Sequence, residues 1–303
     1  MIKNLREYIK EAEEKGVAIG HFNISNLEGL HGIYNAAKNL SVSGGLNVPV
    51  IIGLSEGEEN FVGKEEAVAL INAFRTRDNY PIFLNGDHHY SFESVKGALD
   101  AGYDSAIIDA VKLPLEENIE LTKKCVDYAK SLDRDILIEA ELGFIGTSSK
   151  LLDEIPEGVG EATMTKAEDA KYFVEKTGIN LLAPSVGNIH GMVKGGNPKL
   201  NIERIKEIRA TCGVPLVLHG GSGISDEDFT NAIKAGISIV HINTEIRVAY
   251  KEALEKYLKE NPNDVAPYKI LQPAVDAVEK VVEARLKLFN NFPPEADQPL
   301  AEE

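Results

Sequence analysis

The stretch PLVLHGGSGISDEDFTNAIKAGISIVHINT, residues 215–244, contains one complete architectural unit of the chain. An apolar run, 215–220, ends in histidine and glycine; an amphipathic segment, 226–235, follows; a second β-branched run, 238–244, closes the unit. Parallel strands buried on both faces read as near-continuous apolar runs and need a helical crossover between them, which is the order found here. The same alternation extends towards the N-terminus. Strand patterns fall at 17–23, 48–54, 81–87, 105–110, 135–142 and 181–187, with helical patterns at 91–101, 115–131, 166–176, 201–210 and, after the last strand, 245–259. Eight strands in strand–helix order predict an α/β fold closed as a (β/α)8 TIM barrel, more than an open sheet.

Two segments exceed a plain barrel: a long connection after strand 5, residues 143–165, and a helical extension at 265–289. A connection of that length is expected to be a lid or a mobile insertion. The expected organisation is one domain over 1–289, including the C-terminal helices, with a flexible acidic tail at 290–303. At 303 residues with two cysteines, the chain can bury a large core without a disulfide framework. The start MIKNLREYIKEAEEKG has no apolar core of the signal-peptide kind, so the expected compartment is the reducing cytoplasm. With 48 acidic and 32 basic residues the net charge is −16, which repels nucleic acid and anionic lipid. A phosphate ligand would therefore need local backbone N–H groups and a few placed cations.

Polar residues at barrel strand C-termini face the active site. The third strand ends in Asn85-Gly86-Asp87-His88-His89, the fourth in Asp109, the fifth in Glu139-Ala140-Glu141, and the sixth in Asn188-Ile189-His190-Gly191. The seventh ends in His219-Gly220-Gly221-Ser222-Gly223 and the eighth in His241-Ile242-Asn243-Thr244. Three neutral imidazoles with an open fourth position make a catalytic zinc site, and His88, His190 and His219 come from three different strands. The alternative is three unrelated histidines; their shared placement at strand ends, one directly after a carboxylate, weighs against it. Glycines at 220, 221 and 223 let the backbone close on a ligand, and the helix beginning near Ser225 offers a positive dipole end for a phosphate.

The segments His21-Phe22-Asn23, Asp87-His88, Ile108-Asp109, Glu139-Ala140-Glu141-Leu142-Gly143, Val186-Gly187-Asn188 with His190-Gly191, Leu218-His219-Gly220-Gly221-Ser222-Gly223 and Asn243-Thr244-Glu245 resemble, in order and spacing over roughly residues 17 to 255, the class II fructose-bisphosphate aldolases and their ketose-bisphosphate relatives. The resemblance implies zinc on His88, His190 and His219, with a monovalent cation as a further ion. It makes Asp87 the residue that exchanges a proton with the substrate hydroxyl, and sets Asp109 and Glu141 near a second or alternative metal position. Gly191, Gly220, Gly221 and Ser222, with His241, Asn243 and Thr244, would grip a dihydroxyacetone phosphate half. Asn23 would lie near the reacting centre, Ser55 near the aldehyde-side phosphate, and Lys194 beside the phosphate site, where a solvated surface lysine is the alternative. The implied reaction is reversible aldol cleavage of a phosphorylated ketose, fructose 1,6-bisphosphate or a close relative, by a homodimer or homotetramer.

Zinc would supply the electrophile that holds enediolate charge, and a carboxylate would move the hydroxyl proton. Glu154, Glu157 and Glu161 on the long connection are equal candidates for the enediolate proton. A Schiff-base aldolase would want a lysine inside the barrel, and 181–187 has none. Relative to the family, Asn85 stands for a histidine, and His89, expected in a loop without a metal role, for a small residue. The common double glycine after Gly143 is missing, and His241 replaces an asparagine. That imidazole either narrows the sugar site or rotates out against a neighbouring loop. A metal-dependent barrel hydrolase and a non-catalytic sugar-phosphate sensor are the competing readings; neither accounts for both the glycine turn and the retained Asp87.

Overall fold

The computed structural model describes residues 2–44, 47–146 and 149–293. Eight parallel strands close in sequential order: β1 (Ile19–Asn23), β2 (Val50–Ser55), β3 (Ile82–His89), β4 (Ser105–Ile108), β5 (Leu137–Leu142), β6 (Leu181–Pro184), β7 (Leu216–Leu218) and β8 (Ile237–Ile242), with β8 pairing back to β1. All eight expected strands are present; seven are one to three residues shorter than expected, while β3 is one residue longer and runs on to His89. Around them lie α1 (Leu5–Lys15), α2 (Leu27–Gly44), α3 (Glu56–Val62), α4 (Lys64–Asp78), α5 (Phe92–Ala101), α6 (Leu115–Ser131), α7 (Ala167–Thr177), α8 (Ile202–Cys212), α9 (Asp226–Ala235), α10 (Thr244–Glu260) and α11 (Pro267–Phe289).

Side chains alternate across each strand, so residues two apart share a face. Outward positions such as Phe22, Ile52, Leu84, Leu182 and Val240 pack beneath the helices. Inward positions at the barrel floor, Ile19, Ile51, Phe83, Leu137, Leu181, Val217 and Ile239, meet Leu5, Tyr8, Ile9 and Ala12 of α1, which plugs the N-terminal end. The Asn4 capping box starts that plug and Gly16, in left-handed backbone, stops it. Counting two residues at a time from this floor, the inward sequence becomes polar: His21 and Asn23 on β1, Asn85 and Asp87 on β3, Glu139 and Glu141 on β5, His241 on β8. The apolar floor therefore carries a polar upper barrel.

The 143–165 connection is partly structured. Leu151–Leu152 pairs in parallel with Met192–Val193, and Glu161–Thr163 forms a 3-10 turn; residues 147 and 148 lie outside those described. The C-terminal extension is one helix, α11, whose Ala274, Val275, Val278, Val282, Leu286 and Phe289 are buried. Of the expected tail, residues 290–293 are docked: Asn291 Nδ2 donates to Gly16 O at 3.3 Å and Phe292 packs on the core. Residues 294–303 lie outside those described. No helix among the described residues is long and apolar enough to cross a membrane.

Candidate active site

His88, His190, His219 and Glu141 converge at the C-terminal mouth, with one ligand-type atom from each inside a common span of 4.8 Å. The strand alternation alone would turn His88 outward. A register shift after Gly86 and a left-handed φ of +52° at His88 bring its ring to the mouth instead. Such a conformation costs a β-carbon residue about 1–3 kcal/mol and persists where surrounding contacts enforce it.

Each histidine has one ring nitrogen engaged behind it. His88 Nδ1 is 3.1 Å from Asp109 Oδ2, His190 Nδ1 is 2.8 Å from Gly146 O, and His219 Nε2 is 2.7 Å from Glu139 Oε1. With an acceptor on one nitrogen, the neutral ring carries its proton there and offers a lone pair on the other, the arrangement that orients metal-binding imidazoles. The nitrogens turned to the mouth are thus His88 Nε2, His190 Nε2 and His219 Nδ1. His219 Nδ1 and Glu141 Oε1 form an ion pair at 2.6 Å without hydrogen-bond geometry, and buried Asp87 Oδ1 has no hydrogen-bond partner, an arrangement that a bound cation would satisfy. The residues therefore fit a divalent metal, with Asp109 behind His88 as its orienting carboxylate.

Without an ion, protons balance the carboxylates. Burial acts against a charged His88, but Asp87, Glu141 and Asp109 outweigh it and raise its pKa to about 9. His219 is likewise raised, burial being outweighed by Glu141 and Glu139. Glu141 runs the other way: burial is outweighed by His88 and His219, and its pKa falls to about 2. His190, further from the carboxylates, is lowered to about 4 by burial and by His88. Asp87 is held below the usual carboxylate range, burial being overcome by His88, His21 and His219. Its Oδ2 accepts from Asn23 Nδ2 at 2.8 Å, leaving the ionised Oδ1 as a base.

A cavity of about 40 Å³ adjoins this centre, lined by Asn23, Asp87, His88, Ser149, His190, Gly191, Gly220, Ser222, His241, Asn243 and Thr244. Gly220 has φ of +63°, and a β-carbon there would lie 2.0 Å from Ile189 O, so the turn closes only with glycine. Gly221 is packed beneath the turn, its N–H donating to His241 O. The α9 terminus differs from expectation: Ser225 caps it, and Asp226, Glu227 and Asp228 fill its first turn, which disfavours a second anion. Lys194 is exposed and bonded to Asp153 at 2.7 Å, away from the cavity. Glu154, Glu157 and Glu161 are all exposed, and none lines the cavities at the mouth.

His241 has not rotated out. It is 7 % exposed and stacks between His21, at 3.5 Å between ring centres, and His219, at 4.1 Å. His21 Nε2 lies 3.0 Å from Asn85 Oδ1, and Asn85 Nδ2 donates to Ser105 Oγ at 2.8 Å. Gly53 makes room, since a β-carbon there would meet the His21 ring at 2.2 Å. His89 corrects the loop expectation: it ends β3, is fully buried, and its Nε2 is 3.1 Å from Glu59 Oε1 on the helix side of the barrel. A second cavity, about 230 Å³, opens from the metal-type cluster past Ser55, Tyr90, Asp109, Ser149, Asn243 and Arg247. Sequence reading gave no role in the site to Glu139, His21 or Arg247. The period-two step from Glu141 and Asn23 finds the first two. The helical step from Asn243, whose carbonyl accepts from Arg247 N, finds the third.

A closed barrel with three histidines, a glutamate and an ionised aspartate at its strand C-termini defines a metal-type barrel enzyme. Residues 3–292 match the family described as class-II fructose-bisphosphate aldolase. The chain is 37% identical over 289 residues to the fructose-bisphosphate aldolase of Staphylococcus epidermidis, covering 94% of this chain and 96% of that one. It is equally similar to the enzyme of that name from Geobacillus stearothermophilus, at 37% over 291 residues, 95% of this chain and 96% of the other. Its fold matches the crystal structure of the YdjI aldolase from Escherichia coli K12 with a TM-score of 0.78 and 32% identity, covering 95% and 97% of the two chains. The chain belongs to the class II fructose-bisphosphate aldolase family. It is an aldolase, a carbon–carbon lyase of a family that uses a divalent metal, and the hydrolase and sensor alternatives give way.

Proposed function

We propose that the protein reversibly cleaves a phosphorylated ketose, fructose 1,6-bisphosphate or a close relative, to dihydroxyacetone phosphate and an aldehyde, with zinc held by His88, His190 and His219. The observation that carries this reading is the convergence of three back-bonded imidazoles beside an ionised Asp87. Zinc held by these residues would supply an electrophile for the negative charge that develops as the bond breaks. Asp87 Oδ1 takes the C4 hydroxyl proton as the C3–C4 bond breaks and returns it in condensation. Asn23 holds the other oxygen of Asp87 and keeps that geometry. Gly191, Gly220, Ser222, Asn243 and Thr244 hold the triose phosphate, and Glu141 supports the metal from the facing strand. Glu154, Glu157 and Glu161 remain the acids available to return a proton to the enediolate when the connection after β5 folds over the mouth.

The domain reading, one barrel over 1–289, goes with this proposal, as do a homodimer or homotetramer, a monovalent cation as a further ion, and a cytoplasmic setting. The test is metal analysis, chelation and metal restoration, followed by a coupled assay over ketose 1-phosphates and 1,6-bisphosphates. Stoichiometric zinc, loss of cleavage on chelation and recovery with zinc support the reading. Full turnover by metal-free protein refutes it.

A further inference from the structure

Resting on the aldolase reading above, we propose that the Glu58 carboxylate occupies, from within the chain, the anion position at the aldehyde end of the cavity. The substrates are then ketose 1-phosphates whose aldehyde half carries no phosphate.

Glu58 is buried at the third position of α3 and turns back toward Ser55, the residue before the helix. Ser55 N and Oγ donate to its Oε2 at 2.8 and 2.9 Å, and Asn23 Nδ2 donates to the same oxygen at 2.8 Å. Its Oε1 accepts from Ser25 Oγ at 3.3 Å and Arg247 Nη2 at 2.5 Å. Arg247 is the one lysine or arginine among the described residues lining the 230 Å³ cavity; Lys112, 5.9 Å from the Tyr90 ring centre, is not among them. A phosphate at this end would need the Ser55 donors and the Arg247 guanidinium, and both are already committed to Glu58.

Displacement of Glu58 is disfavoured by its surroundings. The reach from the third helical position to the N-cap amide is a local capping contact, and moving the carboxylate away would break it together with one of the two bonds of Asn23 Nδ2, the other staying on Asp87 Oδ2. Asp109 lines the same cavity, and Glu56 Oε1 sits 3.2 Å from Tyr90 N at its edge, so a phosphate dianion would meet further negative charge. An uncharged polyol aldehyde meets none of these costs. It can take hydrogen bonds from the remaining N–H groups of Arg247, which is 41% exposed along its side chain.

The test fixes dihydroxyacetone phosphate as donor to the zinc-loaded enzyme and compares two acceptors, D-glyceraldehyde and D-glyceraldehyde 3-phosphate, by kcat/KM. The wild-type enzyme is expected to favour the uncharged acceptor by about tenfold or more. Glu58→Gln keeps an oxygen facing Ser55 and Asn23 but turns an amide toward Arg247. It should move the ratio toward the phosphorylated acceptor by about tenfold or more, whatever it does to the two rates in common. Arg247→Met should change the wild-type ratio less than about threefold, because the N–H groups not bonded to Glu58 meet the aldehyde and hydroxyl groups that both acceptors share. A wild-type preference for glyceraldehyde 3-phosphate, or its selective loss in Arg247→Met, overturns the proposal. Exchange of dihydroxyacetone phosphate hydrogen with deuterated solvent needs no acceptor and separates the two readings. Exchange with the wrong acceptor preference defeats the Glu58 proposal alone, and no exchange defeats the aldolase reading and this proposal with it.

Discussion

Replacing His241 with asparagine removes the middle ring of a three-ring stack. His21 and His219 lie on either side at 3.5 and 4.1 Å between ring centres. Each such pair contributes about 0.5–1.5 kcal/mol beyond its buried area, so the loss amounts to about 1–3 kcal/mol. For a domain of this size, that corresponds to a fall in Tm of the order of 5 °C. The space released opens into the 40 Å³ cavity beside Asp87 and Thr244, where a ligand atom group has almost no spare room. We therefore expect His241→Asn to be less stable yet to raise kcat/KM for fructose 1,6-bisphosphate relative to the parent, by about tenfold where one or two heavy atoms decide the fit. The assay is coupled cleavage of that sugar beside thermal unfolding of zinc-loaded protein. Equal or lower efficiency in the variant, with the parent already strong on fructose 1,6-bisphosphate, would refute a narrowed site.

Alanine at His88, His190 or His219 is expected to remove both zinc and turnover; a His190→Ala protein with stoichiometric zinc and normal cleavage would show that the ligands are misassigned. Asp87→Asn should keep zinc and substrate affinity while kcat falls about 10²–10⁴-fold, measured by steady-state kinetics with metal analysis on the same sample. Unchanged kcat would move the proton to another group. Metal-free protein should lose stability on both sides of pH of about 6.5, the ordinary histidine pKa. His88, raised to about 9, contributes stability that is full below 6.5 and lost as pH rises through 9. His21 and His190, lowered to about 4, are stabilising above 6.5, and that contribution is lost as pH falls through 4. Thermal midpoints of chelated protein from pH 4 to 10 check this; a flat profile contradicts it, and zinc should flatten the alkaline limb because the metal replaces the proton.

The barrel was legible because its strands are short β-branched runs separated by helical periodicity; helix limits such as those of α6 and α9 follow directly from that pattern, whereas most strand limits moved by one to three residues. The three histidines were legible for the same reason: strand C-termini are where this fold does chemistry. What escaped sequence reading depended on backbone details that change a side chain's direction. His88 and His89 are adjacent, yet one faces the mouth and the other the helix layer, because of a left-handed residue and a register shift that no composition rule forecasts. Lys194 lies two residues beyond Met192, but the small ladder with 151–152 carries it outward to Asp153. The Asn85 and His241 replacements looked independent along the chain. In the barrel they form one buried layer with His21, and the space for the His21 ring comes from Gly53 on a neighbouring strand.

The packing of α11 bears on how the chain is made. Its buried face rests on α2, and Ala18 N at the entrance to β1 donates to Phe289 O. Gly32 of α2 is so close that a β-carbon would come within 2.8 Å of Val275 O and Val278. The apolar face of α2 thus waits for a cover translated more than 200 residues later, and β1 waits almost as long for β8. Until then the nascent sheet has an unpaired edge and an uncovered apolar helix face, both prone to sticking to other chains. Closure joins parts of the sequence more than 200 residues apart, which makes late, slow consolidation of the fold intrinsic to this topology.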